Sequence, residues 1–196
     1  MKRICVFCGS GLGVKPDYVR AAALLGYTLA NKNIGLVYGG GNVGLMGKIA
    51  HAVLDHGGEV IGVIPKELVE KEVALTELSD LRVVGSMHER KALMEKLSHG
   101  FIALPGGLGT IEEFFEILTW AQLGMHQKPC GLLNVGHYYD KLVEFLDYAV
   151  NQQFIEREHR SMLLIEKNPE TLLEKFESYQ PPKVDKAEWA LRMNNS

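Results

Sequence analysis

The chain has 196 residues, of which 46% are hydrophobic and 23% are charged, and its formal net charge is −3. This length is enough for one domain with a filled core. The slightly acidic charge argues against binding nucleic acids or membrane surfaces through a broad basic field. No stretch approaches the ~20 apolar residues of a membrane span. Three cysteines fit a reducing cytoplasm, and the first residues lead into a predicted strand, which argues against a signal peptide.

Short apolar runs alternate with helical patterns along the chain. The predicted strands cover residues 4–8, 35–38, 60–64, 81–84, 101–104, 131–135 and 163–165. The predicted helices cover residues 17–31, 44–56, 86–97, 110–123, 138–153 and 169–178. Continuous apolar strands separated by helices predict one doubly wound, Rossmann-like α/β parallel sheet with helices on both faces. We expect residues 1–180 to form this single domain and residues 181–196 to form a C-terminal tail.

Three glycine-rich turns follow predicted strands, at residues 9–13, 39–44 and 105–110. Ligands of such sheets bind beyond the carboxyl ends of the strands, so the three turns are expected to converge on one site. The second turn, with Gly40 and Gly41, matches a dinucleotide fingerprint, but the acidic residue of that motif is out of register, with Glu67 the nearest candidate. A P-loop is excluded because Ile49 follows Lys48. A phosphate contact and a tight packing turn both remain open for this segment.

The third turn opens a predicted helix, whose N-terminal N–H groups and dipole favour a phosphate. Glu112 and Glu113 follow one turn later and are favoured in the ionised form by that dipole. Thr110 and Glu113 also have the spacing of a capping box, in which the glutamate would bond the backbone and need no substrate. The sequence leaves the capping and catalytic interpretations of Glu113 open.

Two cations lie in the first turns of another predicted helix. Arg90 and Lys91 follow a possible capping box of Ser86 and Glu89, and cations at that end oppose the helix dipole. A bound anion would offset this cost, and arginine offers bidentate geometry for phosphate or carboxylate. Two solvated side chains are the alternative. For Ser10, in the first turn, a ligand contact and a turn-stabilising role are both open.

Histidines and cysteines give no sign of metal or redox chemistry. The histidines lack metal-ligand spacing, so no metal is predicted. Cys5 and Cys8 have a redox-like spacing, but positions i and i+3 of a strand point to opposite faces, so buried strand cysteines are expected.

Five segments together resemble a known family. They are Cys8-Gly9-Ser10, Tyr38-Gly39-Gly40-Gly41-x-x-Gly44-Leu45-Met46-Gly47, Met87-His88-Glu89-Arg90-Lys91, Pro105-Gly106-Gly107-Leu108-Gly109-Thr110-Ile111-Glu112-Glu113 and Thr119-Trp120-Ala121-Gln122-Leu123-Gly124. The third and fourth fit the MxxRK and PGGxGTxxE motifs of the "lonely guy" (LOG) family of cytokinin riboside 5′-monophosphate phosphoribohydrolases. The resemblance covers residues 4–178. One departure is Gly11, where the family often has a second serine after Ser10.

The resemblance implies hydrolysis of the N-glycosidic bond of a nucleoside 5′-monophosphate, AMP or an N6-modified relative, to free base and ribose 5-phosphate. It implies that Arg90 and Glu113 are catalytic, that no cofactor is needed, and that the protein is a homodimer with sites near the interface. The residues it implies in substrate binding are Ser10, Gly40, Gly41, Glu67, Lys91, Gly107, Leu108, Gly109, Thr110, Ile111, Glu112 and Thr119. The lysine decarboxylase label sometimes given to such chains is rejected, because no lysine site for pyridoxal phosphate is identifiable.

Two other functions compete with hydrolysis. A non-catalytic carrier of a nucleotide or phosphorylated cofactor would need the glycine turns but not the acid, so Arg90 together with Glu113 favours the enzyme. An NAD-dependent oxidoreductase would need a ribose-binding acid in register, which the sequence lacks.

Overall fold

The computed structural model describes residues 1–69, 74–75, 78 and 80–182. Its seven strands are β1 Arg3–Phe7, β2 Gly35–Tyr38, β3 Val60–Pro65, β4 Asp80–Val84, β5 Phe101–Ala103, β6 Cys130–Leu133 and β7 Leu163–Glu166. Its α-helices are α1 Pro16–Asn31, α2 Gly44–Asp55, α3 Met87–Leu97, α4 Leu108–Gln122, α5 Asp140–Asn151, α6 Arg157–Ser161 and α7 Pro169–Glu177.

All seven strands pair in parallel in one sheet of order β4-β3-β2-β1-β5-β6-β7. Alternate residues of β1 enter different cores: Ile4 and Val6 pack in the core formed with α1 and α2, whereas Cys5 and Phe7 pack in the core formed with α3 and α4. Both faces of the sheet are therefore covered by helices, which confirms the predicted doubly wound fold.

The predicted elements are all present, with changes at their ends. The helix predicted from residue 110 begins at Leu108, because Gly107 is its N-cap in extended conformation. The short helix α6 was not predicted, since five residues carry too little periodicity to identify a helix. Of the predicted tail, residues 183–196 lie outside the described residues, so the domain boundary at residue 180 stays a prediction.

The strand order reverses between β1 and β5. β1 leads to α1 on one face of the sheet, and β5 leads to α4 on the other. Such a switch point leaves a crevice at the carboxyl ends of the two strands, where ligands of open α/β sheets bind. No helix in the described part of the chain is long and apolar enough to cross a membrane.

Candidate active site

The three glycine-rich turns meet at this switch point, as predicted. The N–H of Gly9 donates to the carbonyl oxygen of Pro105 over 3.1 Å, and the N–H of Leu45 donates to the carbonyl oxygen of Gly9 over 3.0 Å. The first turn is thus bonded to the third turn and to the start of α2, directly after the second turn. Gly44 makes the close approach possible: its φ is +56°, and a Cβ atom there would lie 2.3 Å from the carbonyl carbon of Ser10.

Two consecutive tyrosines hold the third turn in place. The hydroxyl of Tyr139 donates to the carbonyl oxygen of Leu104 over 2.7 Å, and the hydroxyl of Tyr138 donates to that of Gly106 over 2.7 Å. Both come from the segment before α5, whose sequence carries no motif of the site. Their positions depend on tertiary packing, so no local sequence signal identifies them.

A cavity of about 290 Å³ opens beside the turns. Its walls come from the end of β1, the turns after β2 and β5, the segment after β3, and the first turns of α2, α3 and α4. The lining residues are Val6, Phe7, Cys8, Gly9, Ser10, Gly39, Met46, Leu68, Met87, Arg90, Gly107, Leu108, Gly109, Thr110 and Glu113. The N-terminus of α4 therefore faces the cavity, where its free N–H groups favour an anion.

The start of α4 decides between the two interpretations of Glu113. A capping box would need Thr110 as the N-cap, but the N-cap is Gly107 and no side chain caps this helix. The capping-box interpretation is therefore wrong. The side chain of Glu113 is 12% exposed, and its Oε1 lies 3.5 Å from Nη2 of Arg90. The carboxylate lines the cavity opposite a guanidinium.

Arg90 is buried at the first turns of α3, and its helix begins as predicted. Ser86 Oγ accepts the N–H of Glu89 over 3.2 Å, and the Glu89 carboxylate accepts the N–H of Gly85 over 2.7 Å. Nη1 of Arg90 lies 3.8 Å from the sulfur of Met87. Within the described residues, Nε of Arg90 is buried without a hydrogen-bond partner. An unpaired buried donor is costly, so this guanidinium is suited to a ligand that accepts hydrogen bonds.

Lys91 takes a different direction from Arg90. Its Nζ lies 2.7 Å from Glu112 and 2.8 Å from Glu116, both on α4. Burial opposes the charge of Lys91, but hydrogen bonds to these two carboxylates outweigh burial and raise the pKa of the ammonium above its ordinary value. Lys91 and Glu112 join α3 to α4 and do not line the cavity.

The structure thus brings part of the predicted site together. Arg90, Glu113, Ser10, Gly107, Leu108, Gly109 and Thr110 line the cavity. The predicted binding residues that do not line it are Gly40, Gly41, Glu67, Lys91, Ile111, Glu112 and Thr119. Their roles in substrate binding stay predictions.

Several of these outlying residues have other neighbours. The carbonyl oxygen of Gly40 accepts the N–H of Leu75, and Gly41 bridges to Ala74. Glu67 is exposed on the turn after β3. The hydroxyl of Thr119 donates to the Phe115 carbonyl within α4.

Six lining residues with side chains were not identified as site residues from the sequence: Val6, Phe7, Cys8, Met46, Leu68 and Met87. Met87 precedes Arg90 by three residues, so helical spacing could have placed both on one face. Cys8 lies in the cavity wall, where burial and the charge of Glu113 raise the pKa of its thiol, so it stays protonated. Among the described residues, no group of three His, Cys, Asp or Glu side chains could hold a metal ion.

Comparison with known proteins identifies a class and then a family. A family model described as "Possible lysine decarboxylase" matches residues 46–176. Two solved structures share the fold: a molybdenum cofactor binding protein from Rippkaea orientalis (TM-score 0.68, 26% identity, 91% of this chain and 97% of that one) and the molybdenum cofactor carrier protein of Chlamydomonas reinhardtii (TM-score 0.67, 19% identity, 91% and 99%). The second likeness, at its low identity, shows the fold alone.

Curated relatives are much more similar in sequence. The cytokinin riboside 5′-monophosphate phosphoribohydrolase LOG3 of Arabidopsis thaliana is 51% identical over 180 residues, which is 92% of this chain and 84% of that protein. LOG of Oryza sativa subsp. japonica is 50% identical over 180 residues, covering 92% and 74%, and the probable enzyme LOGL6 of the same species is 49% identical over 193 residues, covering 97% and 77%. The chain belongs to the LOG family of phosphoribohydrolases.

Proposed function

We propose that the protein hydrolyses the N-glycosidic bond of adenosine 5′-monophosphate or an N6-modified relative, releasing the free base and ribose 5-phosphate. The observation that carries this proposal is the buried Arg90–Glu113 pair, which faces a cavity at the N-terminus of α4. Relatives that are about 50% identical and named for this reaction support it.

The residues divide the chemistry between them. The first N–H groups of α4, with Ser10 nearby, would hold the 5′-phosphate. Glycoside cleavage passes through an oxocarbenium-like transition state, which an ionised Glu113 would stabilise by charge and by orienting a water. The water oxygen bonds to C1′ as the bond from C1′ to the base breaks. The electron pair of that bond leaves with the base, which takes up a proton.

Arg90 would contact both Glu113 and the substrate. Its guanidinium lies 3.5 Å from the Glu113 carboxylate and would orient it, and its buried Nε donor is available to a phosphate or ribose oxygen. A pure carrier would gain nothing from a buried carboxylate beside an anionic ligand, since like charges repel. This argument favours hydrolysis over the carrier alternative, which the molybdenum cofactor proteins of the same fold represent.

The family description does not extend to lysine decarboxylation here. None of the described lysines lines the cavity, and the buried Lys91 is engaged by Glu112 and Glu116. We infer that the protein needs no pyridoxal phosphate. Its three cysteines are buried and free, which supports a reducing, cytoplasmic location.

A homodimer is part of the proposal. On α5, Phe145 and Tyr148 are 62% and 59% exposed at helical spacing, and Phe154 beyond the helix is 81% exposed. Such a patch is typical of an interaction surface. Thr119 is exposed on α4, and six residues place it about 9 Å along the helix from Glu113. A substrate site that includes Thr119 would therefore have to extend along α4 beyond this cavity.

The test incubates the purified protein with AMP and, separately, with N6-isopentenyl-AMP, and follows base and ribose 5-phosphate by chromatography. The matching nucleosides are the controls. We expect base to be released from the monophosphates and not from the nucleosides. Tight binding of AMP without cleavage would support the carrier instead. Light scattering on the same sample measures the molar mass, for which we expect twice the 21.8 kDa of the chain.

A further inference from the structure

Gly39, the residue after β2, lies directly against the guanidinium of Arg90. A Cβ atom on Gly39 would lie 2.3 Å from Nη2 and 3.4 Å from Cζ of Arg90. The optimal separation of non-bonded heavy atoms is about 3.5–4.0 Å. The guanidinium therefore occupies the space that the side chain of any other residue would fill.

The need for glycine here comes from this contact and not from the backbone. The φ of Gly39 lies outside the left-handed region, in contrast to those of Gly40 and Gly44. Alanine could therefore adopt the same backbone conformation. The other close neighbour of the missing Cβ is the sulfur of Met46 at 3.3 Å, at the end of a flexible side chain.

Arg90 has little freedom to yield to a methyl group. The residue is 4% exposed and is enclosed by Gly39, Glu113 and Met87. A displaced guanidinium would either lose its contact with Glu113 or enter the cavity that Arg90 itself lines. Both outcomes disturb the candidate catalytic pair.

We propose that Gly39 is a positioning residue, whose missing side chain seats the Arg90 guanidinium opposite Glu113. This inference rests on the proposed function of Arg90 for its effect on turnover, whereas the steric coupling of Gly39 and Arg90 stands independently of it. Gly39 thus leaves room for the Arg90 guanidinium, in addition to any contact that the turn after β2 makes with the substrate.

The first experiment compares Gly39→Ala with Gly35→Ala. Gly35 lies at the other end of the same strand, where a Cβ atom would lie 2.4 Å from Glu59 Oε2, the tip of a half-exposed side chain. The two variants thus make the same chemical change and meet a similar obstruction. We expect Gly39→Ala to lower kcat for AMP by about 10- to 100-fold, since a ~1 Å misplacement can cost ~10²-fold. We expect Gly35→Ala to stay within about twofold of the wild type, because its strand end is remote from the cavity.

The second experiment is a double-mutant cycle. In an Arg90→Ala background the guanidinium is gone, so Gly39→Ala should change neither kcat nor the melting temperature further. If Gly39→Ala alone lowers the melting temperature, the double variant should melt at the same temperature as Arg90→Ala, because the methyl group then enters vacated space. Additive effects on both quantities, or an unchanged kcat and melting temperature in Gly39→Ala alone, would overturn the inference.

The cycle separates this inference from the proposed function. If the wild type does not cleave AMP, the proposed function fails, and the melting temperatures of the four proteins still decide the coupling. Non-additive melting temperatures then support the seating of Arg90 by Gly39. Additive ones contradict it.

Discussion

Arg90 and Lys91 are neighbours on α3, and each faces carboxylates on α4, but their contacts differ in tightness and in surroundings. Nη2 of Arg90 lies 3.5 Å from Glu113, and Nε of Arg90 is buried without a partner in the described structure. Lys91 has two carboxylates within 2.8 Å, and their hydrogen bonds raise its pKa despite burial. Arg90 thus has a longer contact beside the cavity, whereas Lys91 has two short contacts between α3 and α4.

The difference shows how one pair of helices serves both stability and chemistry. The Lys91 ammonium faces two carboxylates of α4 and does not line the cavity, so its contacts are suited to holding α3 against α4. A loosely paired arginine keeps donors available, at the cost of a buried N–H. The Lys91 contacts hold α3 and α4 together, and this packing keeps Arg90 opposite Glu113.

The largest effect, on turnover, is expected when Glu113 of the Arg90–Glu113 pair loses its charge. Glu113→Gln keeps the shape of the side chain but removes the carboxylate that would stabilise the cationic transition state, so kcat for AMP should fall by ~10² or more. The matched control is Glu116→Gln, the same change three residues later on α4, where the carboxylate faces Lys91. Steady-state kinetics and melting temperatures of both variants give the comparison. Near wild-type turnover in Glu113→Gln would contradict the catalytic role.

A smaller effect, on stability, is expected from the tight contacts. Lys91→Met keeps the apolar stem of the side chain and leaves Glu112 and Glu116 facing each other without a cation. The free energy of unfolding should fall by about 1.5–2 kcal/mol, at the low end of the range for hydrogen bonds to charged groups, because the Glu112 side chain is 56% exposed. Urea denaturation measures this loss. The resemblance to the family assigns Lys91 to substrate binding instead, and a tenfold rise in KM for AMP with unchanged stability would support that assignment.

Helix geometry explains which parts of the site could be predicted from the sequence. The fold followed from apolar strands alternating with helical patterns, and the convergence of the turns followed from parallel strands. Neighbouring residues on a helix point about 100° apart. Arg90 and Lys91 therefore point in different directions, as do Glu112 and Glu113, so helix geometry does not favour both members of either pair lining one cavity. The family motifs contain both members of each pair, and the structure shows that Arg90 and Glu113 line the cavity whereas Lys91 and Glu112 do not.

Tertiary contacts account for what the sequence left open. The capping box of Thr110 and Glu113 had the right residues at the right spacing, but α4 starts earlier, with Gly107 as its N-cap. The turn before this N-cap is held by hydrogen bonds from Tyr138 and Tyr139, which lie more than 25 positions further along the chain. The contact of Gly39 with Arg90 joins segments 51 positions apart in the chain. No local pattern encodes such a contact.

The smallest expected effect concerns the C-terminal end of α4. This helix carries Glu113, which faces Arg90, and Glu112 and Glu116, which face Lys91. The ring of His126 is bonded at Nε2 to the carbonyl oxygen of Ile117 and at Nδ1 to the N–H of Lys128, so Nε2 donates and Nδ1 accepts. Burial lowers the pKa of His126 below its ordinary value, outweighing the hydrogen bond to Ile117. Protonation would turn Nδ1 into a donor facing another donor.

The sign of the pH effect follows from this lowered pKa. Below the ordinary histidine pKa of ~6.5 the unfolded chain takes up a proton that the folded protein resists, so stability is complete above that pH and declines as the pH falls toward the folded-state value. In His126→Gln this part of the decline should be absent, while the contribution of His99, whose pKa is lowered by burial and by Lys128, remains in both proteins. Urea denaturation of both proteins between pH 5 and pH 7.5 measures the difference. Equal slopes of stability against pH in the two proteins would contradict this role of His126.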